Sequence, residues 1–293
     1  MRRPRSLTRA IDCYLQGDLL TMKTDTPIRS DSALAAEFWE KGKSESCPIY
    51  DMHGHMGPFH SIYFPRCQPE AMAHSMDIAG VKLLCFAHHA SLFVPELGNR
   101  PAIEAVLAFP DHFRAYVSIN PHYPETIRKD IADYGRNSEV FVGLKFLADY
   151  HQVPISDDRY REALEFAQER SLPILIHTWR GSPCDGPEQV RKIAERYSKP
   201  KFLLAHSLCD DWDAATQLVK DFPNIYLELT AVVARRGVIP YFVQRIGSER
   251  LFFGTDLPWF DEHFYIGAVL SADITDDDRH NIFHRNAQKL LGL

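Results

Sequence analysis

At 293 residues, with 45% hydrophobic and 25% charged side chains, the chain has the profile of a soluble globular protein able to bury one large core. The net charge of -6 gives no electrostatic case for nucleic acid, and no apolar run approaches the ~20 residues that a membrane helix needs. Cys13, Cys47, Cys67, Cys85, Cys184 and Cys209 show no Cys-x-x-Cys spacing and read as reduced thiols of a cytoplasmic protein.

Residues 1–46 read as an N-terminal helical arm. Residues 6–20 and 31–43 each suit a helix, the second capped by Asp31 or Ser32 and carrying the aromatic pair Phe38 and Trp39. Residues 25–30 are polar and turn-rich. The basic start is followed by no unbroken apolar stretch, because Asp12, Gln16 and Asp18 interrupt it, so no signal peptide is expected. Met22 offers an alternative start. The arm is expected to pack on the body of the protein. Exchange with a partner subunit, in a homodimer or higher homo-oligomer, is the competing expectation.

From residue 47 to 293 strand and helix patterns alternate. Apolar runs suited to strands begin at Ile49, Val81, Phe113, Val140, Pro173, Lys201, Ile225 and Leu251. Helical patterns cover residues 101–109, 124–134, 158–170, 187–197, 212–222, 238–246 and 276–291. The 158–170 segment shows the stripe Tyr160, Ala163, Leu164 and Ala167. Eight strand–helix units in series predict an α/β fold, a (β/α)8 TIM barrel with the helical arm before it. No Gly-x-Gly-x-x-Gly follows the first strand and no Walker loop occurs, which argues against nucleotide binding.

The first strand, Ile49 to His53, stops in a Gly/Pro loop, and the join reads Asp51-Met52-His53-Gly54-His55. If strand geometry runs through Gly54, both imidazoles leave on one face and suit a borderline-soft cation such as zinc. Three later apolar runs end in His177, His206 and Asp256, which places those residues on the rim where barrel enzymes carry their chemistry. The reading leaves open whether Glu228 on strand seven faces the pocket or the helix layer. His280 and His284, four apart on the last helix, read as ordinary helix surface. Cys184 and Cys209 have no adjacent histidine base in sequence, so cysteine nucleophile chemistry is unsupported.

This pattern resembles the amidohydrolase superfamily, and within it the amidohydrolase-2 group. The motifs are Asp51-Met52-His53-Gly54-His55, Ile176-His177-Thr178, Leu204-Ala205-His206-Ser207, Gly254-Thr255-Asp256 and the closing Asn286-Ala287-Gln288-Lys289-Leu290-Leu291-Gly292-Leu293. The resemblance implies one divalent metal held by His53, His55, His177 and Asp256, usually zinc, with manganese as the other choice. It gives His206 and Asp256 the catalytic roles of polarising substrate and moving a proton. In two-metal members a lysine at the position of Lys145 is carbamylated and bridges the ions; a plain substrate or structural contact is the alternative.

The leading expectation is a metal-dependent hydrolase acting on an ester, lactone or amide carbonyl of a small carboxylate-bearing substrate. Arg180 would clamp that carboxylate, and Lys145 and Trp259 would contact substrate. His60, Tyr63, Arg66, His88, His89, Arg235 and Arg236 join Trp259 as candidate rim residues. The alternative is a non-oxidative, metal-dependent decarboxylase on the same scaffold, for which Phe59, Phe146, Trp179 and Trp259 could supply aromatic walls. A barrel that binds a ligand without catalysis is the third expectation.

Overall fold

Eight strands pair in chain order, each neighbouring pair parallel: β1 (Ile49–Met56), β2 (Val81–His88), β3 (Phe113–Ile119), β4 (Phe141–Phe146), β5 (Pro173–His177), β6 (Lys201–Ala205), β7 (Ile225–Glu228) and β8 (Leu251–Phe252). The computed structural model describes residues 32–94 and 96–293. The expectations for residues 6–20, for residues 25–30, for Cys13 and for a start at Met22 lie outside the described residues.

The ladder of β8 stops at Phe252, short of the predicted Asp256, because the chain beyond it pairs with β1 instead. Met52 N donates to Phe253 O at 2.9 Å, Asp256 N to His53 O at 2.7 Å, and His55 N to Leu257 O at 2.6 Å. These bonds join the last strand to the first and make the sheet a barrel. Asp51, fully buried, clasps the same seam. Its Oδ1 accepts from His53 N at 3.0 Å and from Thr255 N at 3.2 Å, and its Oδ2 accepts from the Thr255 hydroxyl.

The strands are buried on both faces, as their near-continuous apolar runs require. Outward side chains meet the helices. Inward ones, among them Met52, Tyr116, Leu175, Leu203 and Phe252, pack with Ala287 of the closing helix into a plug across the barrel interior. The Tyr116 hydroxyl, buried in this plug, donates to Met52 O at 2.9 Å.

The helices Arg100–Ala108, Pro124–Arg136, Arg161–Arg170, Pro187–Arg196, Trp212–Asp221 and Val238–Ile246 lie where their apolar stripes predict them. Two more, Pro69–Ala79 and Glu262–Leu270, go beyond the sequence reading. Glu262–Leu270 is apolar on nearly every side, so it shows no stripe. The helix Ala33–Lys41 covers part of it, with the Trp39 ring against Gly267. Ser32 caps Ala33–Lys41, accepting from Ala35 N at 3.1 Å while its hydroxyl donates to Asp276 Oδ1 at 2.6 Å. Of the aromatic pair, Phe38 is buried and Trp39 exposed. The predicted closing helix forms as Asp276–His280, one turn of π-helix at Asn281–Arg285, and Asn286–Leu291. Among the described residues, no helix is long and apolar enough to cross a membrane.

Asp130, on the inner face of Pro124–Arg136, illustrates a buried charge without a counter-ion. Burial pushes its carboxyl up to about 7, against the opposing pull of Asn99. Between the ordinary carboxylate value and about 7 the folded state holds a proton that the unfolded state has lost, so stability falls as pH rises through that window. Asp130→Asn is expected to remove that fall, about 1.4 kcal/mol per pH unit at most, and to leave stability at pH 4 unchanged. Urea unfolding at pH 4, 6 and 8 checks this; an identical pH profile in the variant would refute it.

Candidate metal centre and active site

The C-terminal ends of the strands bring six titratable side chains into one buried group: His53 and His55 of β1, Lys145 of β4, His177 at the end of β5, His206 just beyond β6, and Asp256 beyond β8. β1 runs on through Gly54 to Met56, and the His53 and His55 rings lie 5.4 Å apart. The rings of His53 and His206 are 5.2 Å apart, and those of His177 and His206 5.0 Å. His206 and Asp256 both adopt left-handed backbone, each at φ 62°, where non-glycine residues are uncommon and concentrate at functional sites.

Three of the four histidines are oriented from behind by an acceptor. His53 Nδ1 donates to Glu228 Oε2 at 2.9 Å, His55 Nδ1 to Ala87 O at 3.2 Å, and His177 Nδ1 to Asp185 Oδ2 at 2.8 Å. These bonds place the proton on Nδ1 and leave the lone pair on Nε2, the tautomer that a metal ligand needs. Burial holds the His53, His55 and His206 imidazoles below their usual range, so they are neutral at physiological pH.

Asp256 Oδ1 is the clearest sign of what this group fits. It is buried without a hydrogen-bond partner, 3.3 Å from His53 Nε2 and 3.2 Å from His55 Nε2. With both protons on Nδ1, three lone-pair atoms converge and no proton lies between them. That donor set, two imidazoles and a carboxylate, fits a divalent cation. His177 stands across the cavity, outside this tight trio.

Lys145 is fully buried and its Nζ donates to His53 Nε2 at 3.0 Å. An ion on His53 would need that lone pair, so the ammonium must then turn aside or shed its proton. Burial already lowers it to about 8, against the pull of Asp256 and Glu228.

Two supporting carboxylates complete the group. Glu228 faces the interior: its Oε2 also accepts from His206 N at 3.3 Å, and its Oε1 accepts from Thr230 N at 2.6 Å and from the Thr230 hydroxyl. Burial pushes it up to about 7, while these four donors favour its charged form. Gly254 allows the close packing here, since a Cβ would sit 2.1 Å from Glu228 Oε1. Asp185, which sequence reasoning missed, lies eight residues beyond His177 in a loop and carries no pattern of its own. Glu228→Gln offers one acceptor oxygen fewer to four donors and must set an amide N–H against one of them. The expected result is a 10- to 100-fold loss of metal affinity. Competition with a chelating dye measures it; unchanged affinity would mean that Glu228 does not hold His53.

Above this group lies a cavity of about 180 Å³. His55, His177, His206 and Asp256 form part of its lining, and Phe59, Phe93, Tyr150, Trp179, Trp259 and Phe260 supply an aromatic wall. Among the described residues that line it there is no lysine or arginine. His89 braces the wall: its Nδ1 donates to Gly57 O at 2.7 Å, its Nε2 accepts from Trp259 Nε1 at 3.1 Å, and its ring stacks on His55 at 4.9 Å.

The remaining predicted residues are placed differently. Trp259 is in the cavity wall. Arg180 is exposed on the turn after β5 and does not line the cavity. Tyr63 is exposed, and Arg235 pairs with Asp210 at 2.9 Å on the surface. Phe146 is buried against Tyr160, outside the cavity.

A family model described as amidohydrolase matches residues 50–293. The chain belongs to the amidohydrolase family. No curated protein matches the sequence. Among solved structures, this amidohydrolase is similar to an uncharacterized TIM-barrel protein from Bordetella bronchiseptica, at 16% identity and TM-score 0.70, over 84% of this chain and 98% of that one. A dihydroxybenzoic acid decarboxylase from Polaromonas sp. JS666, with bound manganese and 2-nitroresorcinol, matches at 17% identity and TM-score 0.66, over 84% and 97%. A 5-carboxyvanillate decarboxylase from Novosphingobium aromaticivorans, complexed with manganese and 4-hydroxy-3-methoxy-5-nitrobenzoic acid, matches at 14% identity and TM-score 0.66, over 84% and 96%. At these identities the likeness speaks to the fold.

Proposed function

We propose that this amidohydrolase is a metal-dependent, non-oxidative decarboxylase of a small aromatic acid. The observation that carries the reading is the cavity: an aromatic wall over the histidine–aspartate group, with no lysine or arginine among its described lining residues. Hydrolysis of a carboxylate-bearing substrate would call for a cationic clamp, and Arg180 is not in the lining. An apolar cavity of ~150 Å³ can hold benzene, so about 180 Å³ suits one substituted ring. The decarboxylases among the solved structures of similar fold support the same reading.

A divalent ion held by His53, His55, His177 and Asp256 would supply positive charge to the substrate carboxylate and an adjacent ring hydroxyl. Manganese and zinc both suit this nitrogen–oxygen donor set. The side chains of the chain do the rest. Phe59, Trp179 and Trp259 stack on or edge the ring and exclude water. The bond from ring carbon to carboxyl carbon breaks, its electron pair stays on the ring, and carbon dioxide leaves. A proton then bonds to that carbon, so no oxidant or reductant is needed. In this reading His206, whose Nδ1 is buried without a partner, and Asp256, both in the cavity lining, carry it.

The test is to supply hydroxybenzoic and methoxyhydroxybenzoic acids, with aryl esters and lactones in parallel. Carbon dioxide in step with arene, without ester or lactone cleavage, supports the decarboxylase. Cleavage without carbon dioxide returns the reading to a hydrolase.

A further inference from the structure

At the end of the barrel opposite the cavity, three side chains meet that the chemistry above does not use. Cys47, just before β1, is buried at 1% exposure. Its Sγ lies 3.3 Å from His280 Nδ1, and His280 Nδ1 lies 3.0 Å from His284 Nε2. The sequence reading of His280 and His284 as ordinary helix surface is corrected here: both are half-buried and face Cys47. They are four apart in sequence: His280 caps the π-helical turn Asn281–Arg285, and His284 lies within it. Such turns are rare and often occur at functional sites.

We propose that Cys47, His280 and His284 form a second metal site for zinc or a cation of similar softness. One thiolate and two imidazoles are the donors that zinc prefers, with a fourth position left to water. The distances fit. Tetrahedral zinc with bonds of ~2.3 Å to sulfur and ~2.0–2.1 Å to nitrogen places S and N ~3.5 Å apart and the two N atoms ~3.3 Å apart. The observed separations of 3.3 and 3.0 Å need a shift of only a few tenths of an ångström. The supporting contact is also in place. His284 Nδ1 donates to Gln288 Oε1 at 2.8 Å, which leaves the His284 Nε2 lone pair aimed into the cluster. Binding releases the Cys47 thiol proton to solvent and forms the sulfur–metal bond. Such an ion would tie the entry to β1 to the closing helix, 233 residues away.

This site is independent of the proposed decarboxylase, and its spectroscopic signature separates the two. The rim group contains no sulfur ligand, so a thiolate-to-cobalt charge-transfer band can come only from a cysteine site. The full-length chain is stripped with a chelator and titrated with cobalt(II). The expected result is a near-ultraviolet charge-transfer band with tetrahedral visible bands, retained in His53→Gln and lost in both Cys47→Ser and His284→Gln. Metal content falls by about one ion per chain in each of the last two variants, while turnover at the rim is kept. His284→Gln lies on a half-exposed helix face and guards against a folding failure of Cys47→Ser. No band in the wild-type chain at saturating cobalt, or an undiminished band in His284→Gln, would overturn the proposal.

Discussion

Asp256→Asn is expected to lower turnover by about 10³-fold or more, the upper part of the range for a positioned proton carrier. In the proposed mechanism the side chain supplies both a ligand atom and a proton-carrying group. Its Oδ1 is the point where the His53 and His55 lone pairs converge. Asparagine keeps the volume but places a neutral amide there. The fold should survive, because the seam bond from Asp256 N to His53 O uses only backbone. Steady-state kinetics with far-ultraviolet circular dichroism checks both halves. Turnover within about tenfold of wild type, in a folded variant, would remove Asp256 from the chemistry.

Stripping the protein of metal is expected to abolish turnover, and manganese or zinc should restore it. The ion should also stabilise the fold, by about 4 kcal/mol at a free concentration a thousandfold above its dissociation constant. Two sites would contribute to that gain, one at the rim and one at the base. His53→Gln isolates the rim share: turnover stays lost on adding metal, while part of the thermal shift remains. Full activity in thoroughly stripped protein would dismiss a metal role at the rim.

Much of this site was legible in the sequence because buried parallel strands write a simple code. An apolar run that ends in a polar residue marks a strand leaving the core at the rim, and His177, His206 and Asp256 each follow that form. Glu228 follows it too. A strand of four residues, however, carries too few alternations to say which way its last side chain points. Asp185 was out of reach because its partner His177 is chosen by a loop, not by a period. Arg180 shows the converse: three residues past His177 is close in sequence, yet the residue is exposed on the turn that Gly181 makes. Cys47 and His280 were read apart because only the closed barrel makes them neighbours.

The seam between β8 and β1 has a consequence for the order in which the molecule is made. Asp51 and Thr255 are 204 positions apart, and His53 meets Asp256 across the same join. A growing chain therefore holds its two imidazoles for most of synthesis without the carboxylate that completes them. No partial barrel can present all of the proposed ligands, so an ion at the rim would be captured last, after the final strand has found the first. Metal occupancy there would then act as proofreading: a chain that carried the ion would be one whose ends have met.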